Sequence, residues 1–183
     1  MHNRALGQAL KLAKWRALNR LAQDRSGATA VEFGLIAAPF FALLLAVLQT
    51  SLIFFASQVL ETGVSDAARL VRTGQALEQE MDAQTFKEAV CNEVFGLFDC
   101  MGGLKVDVRT FEDFNSAQMG KAIEDGELKD DFIYDPGVGG DIVVVRAFYE
   151  WPIVFPLMGV SVADLNNGNY LLSAATTFRN EPF

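Results

Sequence analysis

An acidic residue stands at the edge of a long apolar stretch, where a free carboxylate is costly. Glu32 is followed by 28 residues without a charge, from Phe33 to Leu60. An unpaired carboxylate in a membrane core costs a few kcal/mol, so Glu32 is expected to have a cationic partner. Cleavage after Gly27 would supply one, because it would create a positively charged α-amino group at Ala28. In a bundle of such helices, Glu32 of one subunit could pair with the Ala28 amine of its neighbour.

The apolar run is long enough to cross a membrane. About 20 helical residues span the hydrocarbon core, so this run can span it with tilt or extend beyond it. We therefore predict a transmembrane helix over residues 28–60. A buried core helix is the alternative, but little of the remaining chain could surround so long an apolar rod. A cleaved secretory signal is a further alternative, although its apolar region is about half as long.

Charge is distributed unevenly on the two sides of this run. Residues 1–27 carry six Lys or Arg and one Asp, whereas residues 61–183 carry nine basic and 21 acidic side chains. Because basic flanks stay in the cytoplasm, residues 1–27 are predicted to be a cytoplasmic leader and residues 61–183 to lie outside. The acidic part excludes nucleic acid as a partner, since phosphates would repel it. Membrane lipid is the expected partner of the leader and the span.

An α+β fold is predicted beyond the span. Hydrophobic spacing continues the helix into a 61–80 extension and linker, with Gly74 as a stop. Residues 81–183 are expected to form an extracytoplasmic domain, in which Asp82 caps a second helix from about Ala83 to Phe98. Alternating and β-branched residues predict an antiparallel sheet. Its strands are placed at Leu104–Phe111, Asp141–Trp151 and Tyr170–Arg179.

The two cysteines, Cys91 and Cys100, lie nine residues apart on the side of the membrane predicted to be oxidising. A disulfide between them would contribute roughly 2–3 kcal/mol in the chain-entropy model. It would tie the second helix to the turn before the first strand. Neither a redox site nor a metal site is expected, because the C-x-x-C spacing and further ligands are absent.

Small residues recur at every fourth position of the span. This spacing lets membrane helices approach closely, and its drift around the helix suits packing against several neighbours. Chance is the alternative, since alanine is common in spans. Pro39 removes a helix hydrogen bond and predicts a kink or a softened turn. The positions predicted for helix packing are Ala30, Gly34, Ala38, Ala42 and Ala46, with Thr50 continuing the series.

Residue types that serve most catalytic sites are scarce. The single histidine, His2, lies in the leader, which excludes a Ser-His-Asp triad and a His-rich metal centre in the folded part. We expect no enzymatic activity, no cofactor and no metal. A group of aromatic residues and prolines is interpreted as core, with a subunit-contact edge as the alternative. These residues are Tyr149, Trp151, Pro152, Phe155 and Pro156.

The junction and the span together resemble a known family. The stretch RSGATAVEFGLIAAPFFALLLAV at 25–47 is similar to the prepilin junction of type IV-like pilins. In particular it resembles the TadE/TadG family of the Tad (tight adherence, Flp) pilus system. The resemblance reappears in GDIVVVRAFYEWP at 140–152 and FRNEPF at 178–183. It implies that Gly27 is the last leader residue, Ala28 the new N-terminus and Glu32-Phe33 the pair recognised in processing.

The resemblance also implies a function and partners. We expect a minor pilin or pilin-like assembly protein of the bacterial inner membrane that supports pilus biogenesis and surface adherence. Its partners would be a prepilin peptidase, other pilins or pseudopilins, and an inner-membrane assembly platform with an ATPase. An uncleaved single-pass scaffold or binding protein remains open as an alternative, and so does an extracytoplasmic enzyme with a signal anchor.

Overall fold

One long helix dominates the N-terminal part of the molecule. The computed structural model describes residues 27–117, 120–154 and 163–183. Helix α1 runs from Ala28 to Arg72, with Pro39 inside it. The chain divides into two compact units, one ending at Leu44 and one formed by Leu45–Phe183. The described residues of the first unit all belong to α1 or to the turn before it, and their side chains are mostly exposed.

In the second unit, α1 buries one face in the core of the domain. The buried positions recur every three or four residues, as one face of an amphipathic helix requires. Gly63 belongs to this face, and a Cβ added there would lie 2.9 Å from the carbonyl oxygen of Val90. Only a residue without a side chain permits so close an approach. The buried positions of α1 are Ile53, Ala56, Leu60, Gly63, Val64, Ala67, Ala68 and Val71.

The end of α1 coincides with the stop predicted at Gly74. The helix ends at Arg72, and Gly74 follows with φ of 80°. This left-handed conformation is strained for other residues but accessible to glycine. A single helical turn, α2, then covers Gln75–Glu78.

Helix α3 spans Ala83–Asn92, and Asp82 is its N-cap as predicted. The Asp82 carboxylate accepts hydrogen bonds from the backbone N–H of Thr85 at 2.8 Å and from its hydroxyl at 2.7 Å. These bonds satisfy a donor that the first turn would otherwise leave free.

The prediction that this second helix continues to Phe98 is wrong. Phe95 and Gly96 both adopt positive φ, 53° and 68°, which breaks the helical path. The chain then turns back, and a disulfide joins Cys91 to Cys100, confirming the predicted pair. A last short helix, α4, covers Cys100–Gly103.

The predicted antiparallel sheet is confirmed, with strands close to their expected positions. Its three strands are β1 Lys105–Phe111, β4 Ile142–Trp151 and β5 Tyr170–Arg179. Their order in the sheet is β1-β4-β5, so β4 is central. The register pairs Val108 of β1 with Val145 of β4, and Val145 with Thr176 of β5.

The two faces of this sheet are covered differently. One face presents Val108, Val143 and Leu172 to the core that includes the buried side of α1. The other presents Phe148 and Leu171 to a smaller apolar cluster. These alternating faces explain why the strands were readable from the sequence.

A second, two-stranded sheet lies between β1 and β4 along the chain. Strand β2, Ile123–Glu124, pairs antiparallel with β3, Glu127–Leu128. Asp125 and Gly126 connect them with φ of 51° and 79°. An Asp-Gly pair is a strong signal for a tight hairpin turn, and it could have predicted this element.

Candidate functional site

The predicted processing junction lies at the start of α1 and is accessible. The carbonyl oxygen of Gly27 accepts the N–H of Val31 at 3.1 Å, which is the first hydrogen bond of the helix. Gly27, Ala28 and Glu32 are exposed, and Phe33 is 70% exposed. The leader up to residue 26 lies outside the described residues. The structure therefore places the four junction residues on one turn-and-helix segment that a protease could reach.

The small residues predicted for helix packing lie along the same exposed length of α1. Ala30, Gly34 and Ala38 are exposed, and Ala42 and Ala46 are partly exposed. A Cβ added at Gly34 would meet no atom within 4 Å.

Polar side chains in the C-terminal part of the apolar run form hydrogen bonds within the helix itself. The hydroxyl of Thr50 donates to the carbonyl oxygen of Ala46 at 2.9 Å, and that of Ser51 donates to Val47 at 2.7 Å. Such bonds to the preceding turn remove most of the cost of placing a hydroxyl in lipid.

The uncovered apolar length of α1 matches the thickness of a bilayer core. The helix contains an 18-residue window with mean hydropathy 2.3 and no buried residue. Ile53 is the first residue of α1 that the domain buries. Residues 33–52 thus leave about 30 Å of apolar helix, at 1.5 Å per residue, which is the thickness of the hydrocarbon core.

The C-terminal residues close over the end of α1. The buried side chain of Asn180 donates through Nδ2 to the carbonyl oxygens of Pro136 at 3.0 Å and Val138 at 3.1 Å. The backbone N–H of Glu181 donates to the carbonyl oxygen of Arg72 at 2.9 Å. Asn180 and Glu181 both belong to the ending FRNEPF, to which the sequence alone assigns no physical role. The structure shows that it fastens the last turn of the long helix.

The aromatic group at the end of β4 packs against the core. Tyr149 and Trp151 are half-buried, and the ring of Phe98 lies 4.2 Å from that of Tyr149 and 6.2 Å from that of Trp151. Pro152 is exposed, and the other two residues of this predicted group, Phe155 and Pro156, lie outside the described residues.

A buried ionic network on the second face of the sheet was not predicted. Asp107 is fully buried, and its carboxylate accepts from Nη2 of Arg146 at 2.6 Å and from Nε of Arg109 at 2.9 Å. The backbone N–H of Ile133 donates to the same carboxylate at 3.1 Å. Asp107 and Arg146 are register partners on adjacent strands. Opposite charges on facing strand positions were visible in the sequence, but without the register no pair could be chosen.

Two opposing effects set the pKa of the Asp107 carboxyl. Burial acts to raise it, but hydrogen bonds from Arg146 and Arg109 more than offset burial, and the resulting pKa is below the ordinary value of 3.8. The guanidinium of Arg146 also lies 5.2 Å from the centre of the Phe148 ring. Because the Asp107 carboxylate is paired with both arginines, we interpret the network as stabilising the domain and not as a binding or catalytic site.

Comparison with known proteins gives one match. The model of the TadE-like protein family matches residues 27–69. No curated protein and no solved structure matches the chain. The matched segment begins at Gly27 and includes the exposed apolar length of α1 together with most of its buried face. Over residues 27–69, the chain is therefore similar to TadE-like proteins.

Proposed function

We propose that this protein is a minor pilin, or pilin-like assembly protein, of a Tad (Flp) pilus, cleaved after Gly27 and assembled through α1. The observation that carries the proposal is the start of the family match at Gly27, the residue at which the basic leader meets the helix. The exposure of Ala28 and Glu32 supports it, because both must be free to meet a protease and a neighbouring subunit.

The proposed assembly step is a pairing between subunits. Ala28 and Glu32 are four residues apart, which is about 6 Å along a helix. A neighbouring helix displaced by about one turn would set its Ala28 amine beside this Glu32 carboxylate. Because both charges lie at the membrane edge, the pair is stronger than it would be in water and would fix the axial register.

The proposed orientation follows from charge. The basic leader stays in the cytoplasm and the acidic domain lies outside the inner membrane, in the periplasm or on the pilus. In this arrangement the partners are a prepilin peptidase, other pilins or pseudopilins, and an inner-membrane platform with its ATPase. The contribution to surface adherence is then made through the pilus. The proposal assigns the protein no enzymatic role.

The first test is the intact mass and N-terminal sequence of the protein extracted from membranes of its native host. We expect loss of residues 1–27 and a new terminus at Ala28. Gly27→Leu should block the cut, whereas Gly34→Leu, a matched change outside the junction, should leave it intact. A retained Met1 in a host with active prepilin peptidase would contradict the proposal and favour an uncleaved membrane-anchored scaffold or binding protein.

The pairing step has its own test, made on chains whose cleavage has been verified by mass. Glu32→Gln should lower the amount of processed protein that copurifies with other pilins. Glu61→Gln removes an exposed carboxylate from the same helix beyond the span and serves as the control. Equal copurification of the two variants would exclude a role for Glu32 in assembly.

A further inference from the structure

An apolar groove opens between the outer part of the long helix and the end of the sheet. It has a volume of about 370 Å³. Leu45, Leu48 and Leu52 of α1 form one wall. The side chains of Phe98, Trp151 and Val154 contribute to the other. Among the described residues, no charged side chain lines the groove.

The groove is largely open to its surroundings, which is unfavourable in water. Leu48 and Leu52 are about half exposed, and Val154 is 68% exposed. Apolar area costs about 25 cal/mol per Å² when it remains in contact with water. Contiguous exposed apolar surface of this kind marks a contact with a membrane or with another protein.

The groove lies at one end of the domain, opposite the end at which α1 stops. Strand β4 runs from Ile142 to Trp151, which is about 30 Å at 3.3 Å per residue. At the Ile142 end, the backbone N–H of Asn180 donates to the carbonyl oxygen of Asp141, and Glu181 bonds to Arg72. Trp151 and the groove are therefore at the end of the domain at which its part of α1 begins, near Leu45.

The helical wall of the groove belongs to the predicted transmembrane length. Residues 33–52 provide about 30 Å of uncovered apolar helix, and Leu45 to Leu52 are its last two turns, about 10 Å. The groove is thus continuous with the surface that must face lipid, at the depth of the outer leaflet. The facing wall presents a tryptophan, a tyrosine and a proline. Tryptophan and tyrosine concentrate at this depth because their rings are apolar at one end and polar at the other.

We propose that this groove is a lipid contact site, in which the Trp151–Val154 end of the domain enters the outer leaflet and a phospholipid acyl chain occupies the space beside α1. An acyl chain suits the groove because it is apolar, slender and flexible, and needs no charged partner. We expect headgroup charge to play no part, since the described lining residues offer no ion to pair with it. The contact would keep this end of the domain at the membrane surface before assembly. The proposal goes beyond the pilin function and depends only on membrane insertion of α1.

The test uses tryptophan fluorescence of the full chain in vesicles. Trp15 and Trp151 are the two tryptophans of the sequence, so Trp15→Phe leaves Trp151 as the only reporter. The vesicles contain phosphatidylethanolamine and phosphatidylglycerol, either unmodified or with acyl chains brominated near the headgroup. We expect the brominated chains to remove most of the Trp151 emission. Aqueous acrylamide should have little effect, and the emission maximum should lie at a shorter wavelength than that of a solvated tryptophan.

Two controls in the Trp15→Phe/Trp151→Phe background make every outcome decisive. Leu43→Trp reports on the span and should be quenched by brominated chains wherever the helix is inserted. Phe114→Trp lies beyond the β1 end that pairs with Ile142, and should be quenched only by acrylamide. If the span reporter is quenched by brominated lipid and Trp151 is not, the lipid site is refuted while membrane insertion stands. Quenching of Trp151 emission by acrylamide alone, or by neither quencher, would refute the lipid site in this way.

Discussion

The backbone N–H of Glu181 donates to the carbonyl oxygen of Arg72 at 2.9 Å, so the last residues of the chain complete the end of its first described helix. Helix C-termini leave carbonyl groups without partners, and this bond satisfies one of them. The side chains of the same two residues lie 3.7 Å apart as an exposed ion pair. This exposed ion pair contributes little to the free energy of unfolding. The buried Asn180 beside it fixes the position of the C-terminal residues.

Asn180→Ala should lower the stability of the domain. The substitution removes two hydrogen bonds to the carbonyl oxygens of Pro136 and Val138 and leaves polar groups buried. We expect a loss of about 1–3 kcal/mol. Chemical denaturation of the full chain in detergent micelles, followed by circular dichroism, measures it. Ser173→Ala, an exposed change on β5, is the control, and an equal effect of the two would show that the tail does not fasten the helix.

Asp107→Asn should lower the free energy of unfolding at neutral pH and should make it less sensitive to a fall in pH. The folded carboxyl has a pKa below its ordinary value, so its stabilisation is complete above about pH 4 and is lost as the pH falls through the folded pKa. We expect a loss of roughly 3 kcal/mol at neutral pH, because two arginines lose their buried partner.

Denaturation curves between neutral pH and pH 2 test this, with the exposed Asp66→Asn as a matched control. The difference between wild type and Asp107→Asn should shrink at the acid end, whereas Asp66→Asn should follow the wild type throughout. A difference that is independent of pH would show that the carboxylate charge is not the source of the stabilisation.

Tyr134→Phe should be tolerated at neutral pH and should improve resistance to alkali. Burial raises the pKa of the Tyr134 phenol to about 12, with the Asp82 charge adding to the effect. Since an unfolded tyrosine ionises near pH 10, the native state loses stability as the pH rises from about 10 to 12. Its hydroxyl is buried without a hydrogen-bond partner among the described residues, so its removal costs little. Phenolate absorbance and alkaline unfolding, compared with wild type, measure both effects; an unchanged alkaline transition would contradict the assignment.

Leucine at two glycines of α1 should have opposite consequences. Gly63→Leu forces a side chain against the Val90 carbonyl and should destabilise the domain by about 1–3 kcal/mol. Gly34→Leu meets nothing in this chain, so domain stability should stay at the wild-type level. If the proposed helix packing is correct, Gly34→Leu should instead reduce copurification with other pilins. Equal unfolding midpoints for the two variants would refute the close approach at Gly63.

Removal of the disulfide should affect the 93–99 turn more than the sheet. Cys91→Ala/Cys100→Ala opens a loop of nine residues and should lower the unfolding free energy by roughly 2–3 kcal/mol. Hydrogen exchange should increase first around Leu97 and Phe98, which pack against the core from this turn. Exchange that rises equally in β4 would show that the disulfide supports the whole domain.

Local pattern was sufficient to predict most of the fold. The alternation in β1 and the apolar β4 each marked a strand, and Asp82 marked the start of α3 with the expected cap. The helix beyond Asn92 was overextended because Val94 and Leu97 keep a helical spacing while the backbone does not. These two side chains pack against the core from the turn that the disulfide closes. Hydrophobic periodicity alone does not distinguish such a turn from a continued helix.

Long-range contacts account for what the sequence did not reveal. Asp107 lies 39 residues from Arg146, and Arg72 is more than 100 residues from Glu181. Each pair depends on a register or a chain reversal that no local pattern encodes. The junction at Gly27 was identifiable because its leader, small residues, glutamate and apolar run are adjacent in the sequence.

The buried face of α1 is covered in part by β5, which lies more than 90 residues later in the chain. The face from Ile53 to Val71 is synthesised long before β5, Tyr170–Arg179, which shares its core. Contacts so distant in sequence form slowly, and the apolar face remains uncovered until they form. The chain therefore exposes an apolar helix face until β5 has been made and packed, and a product truncated before β5 would keep that face exposed.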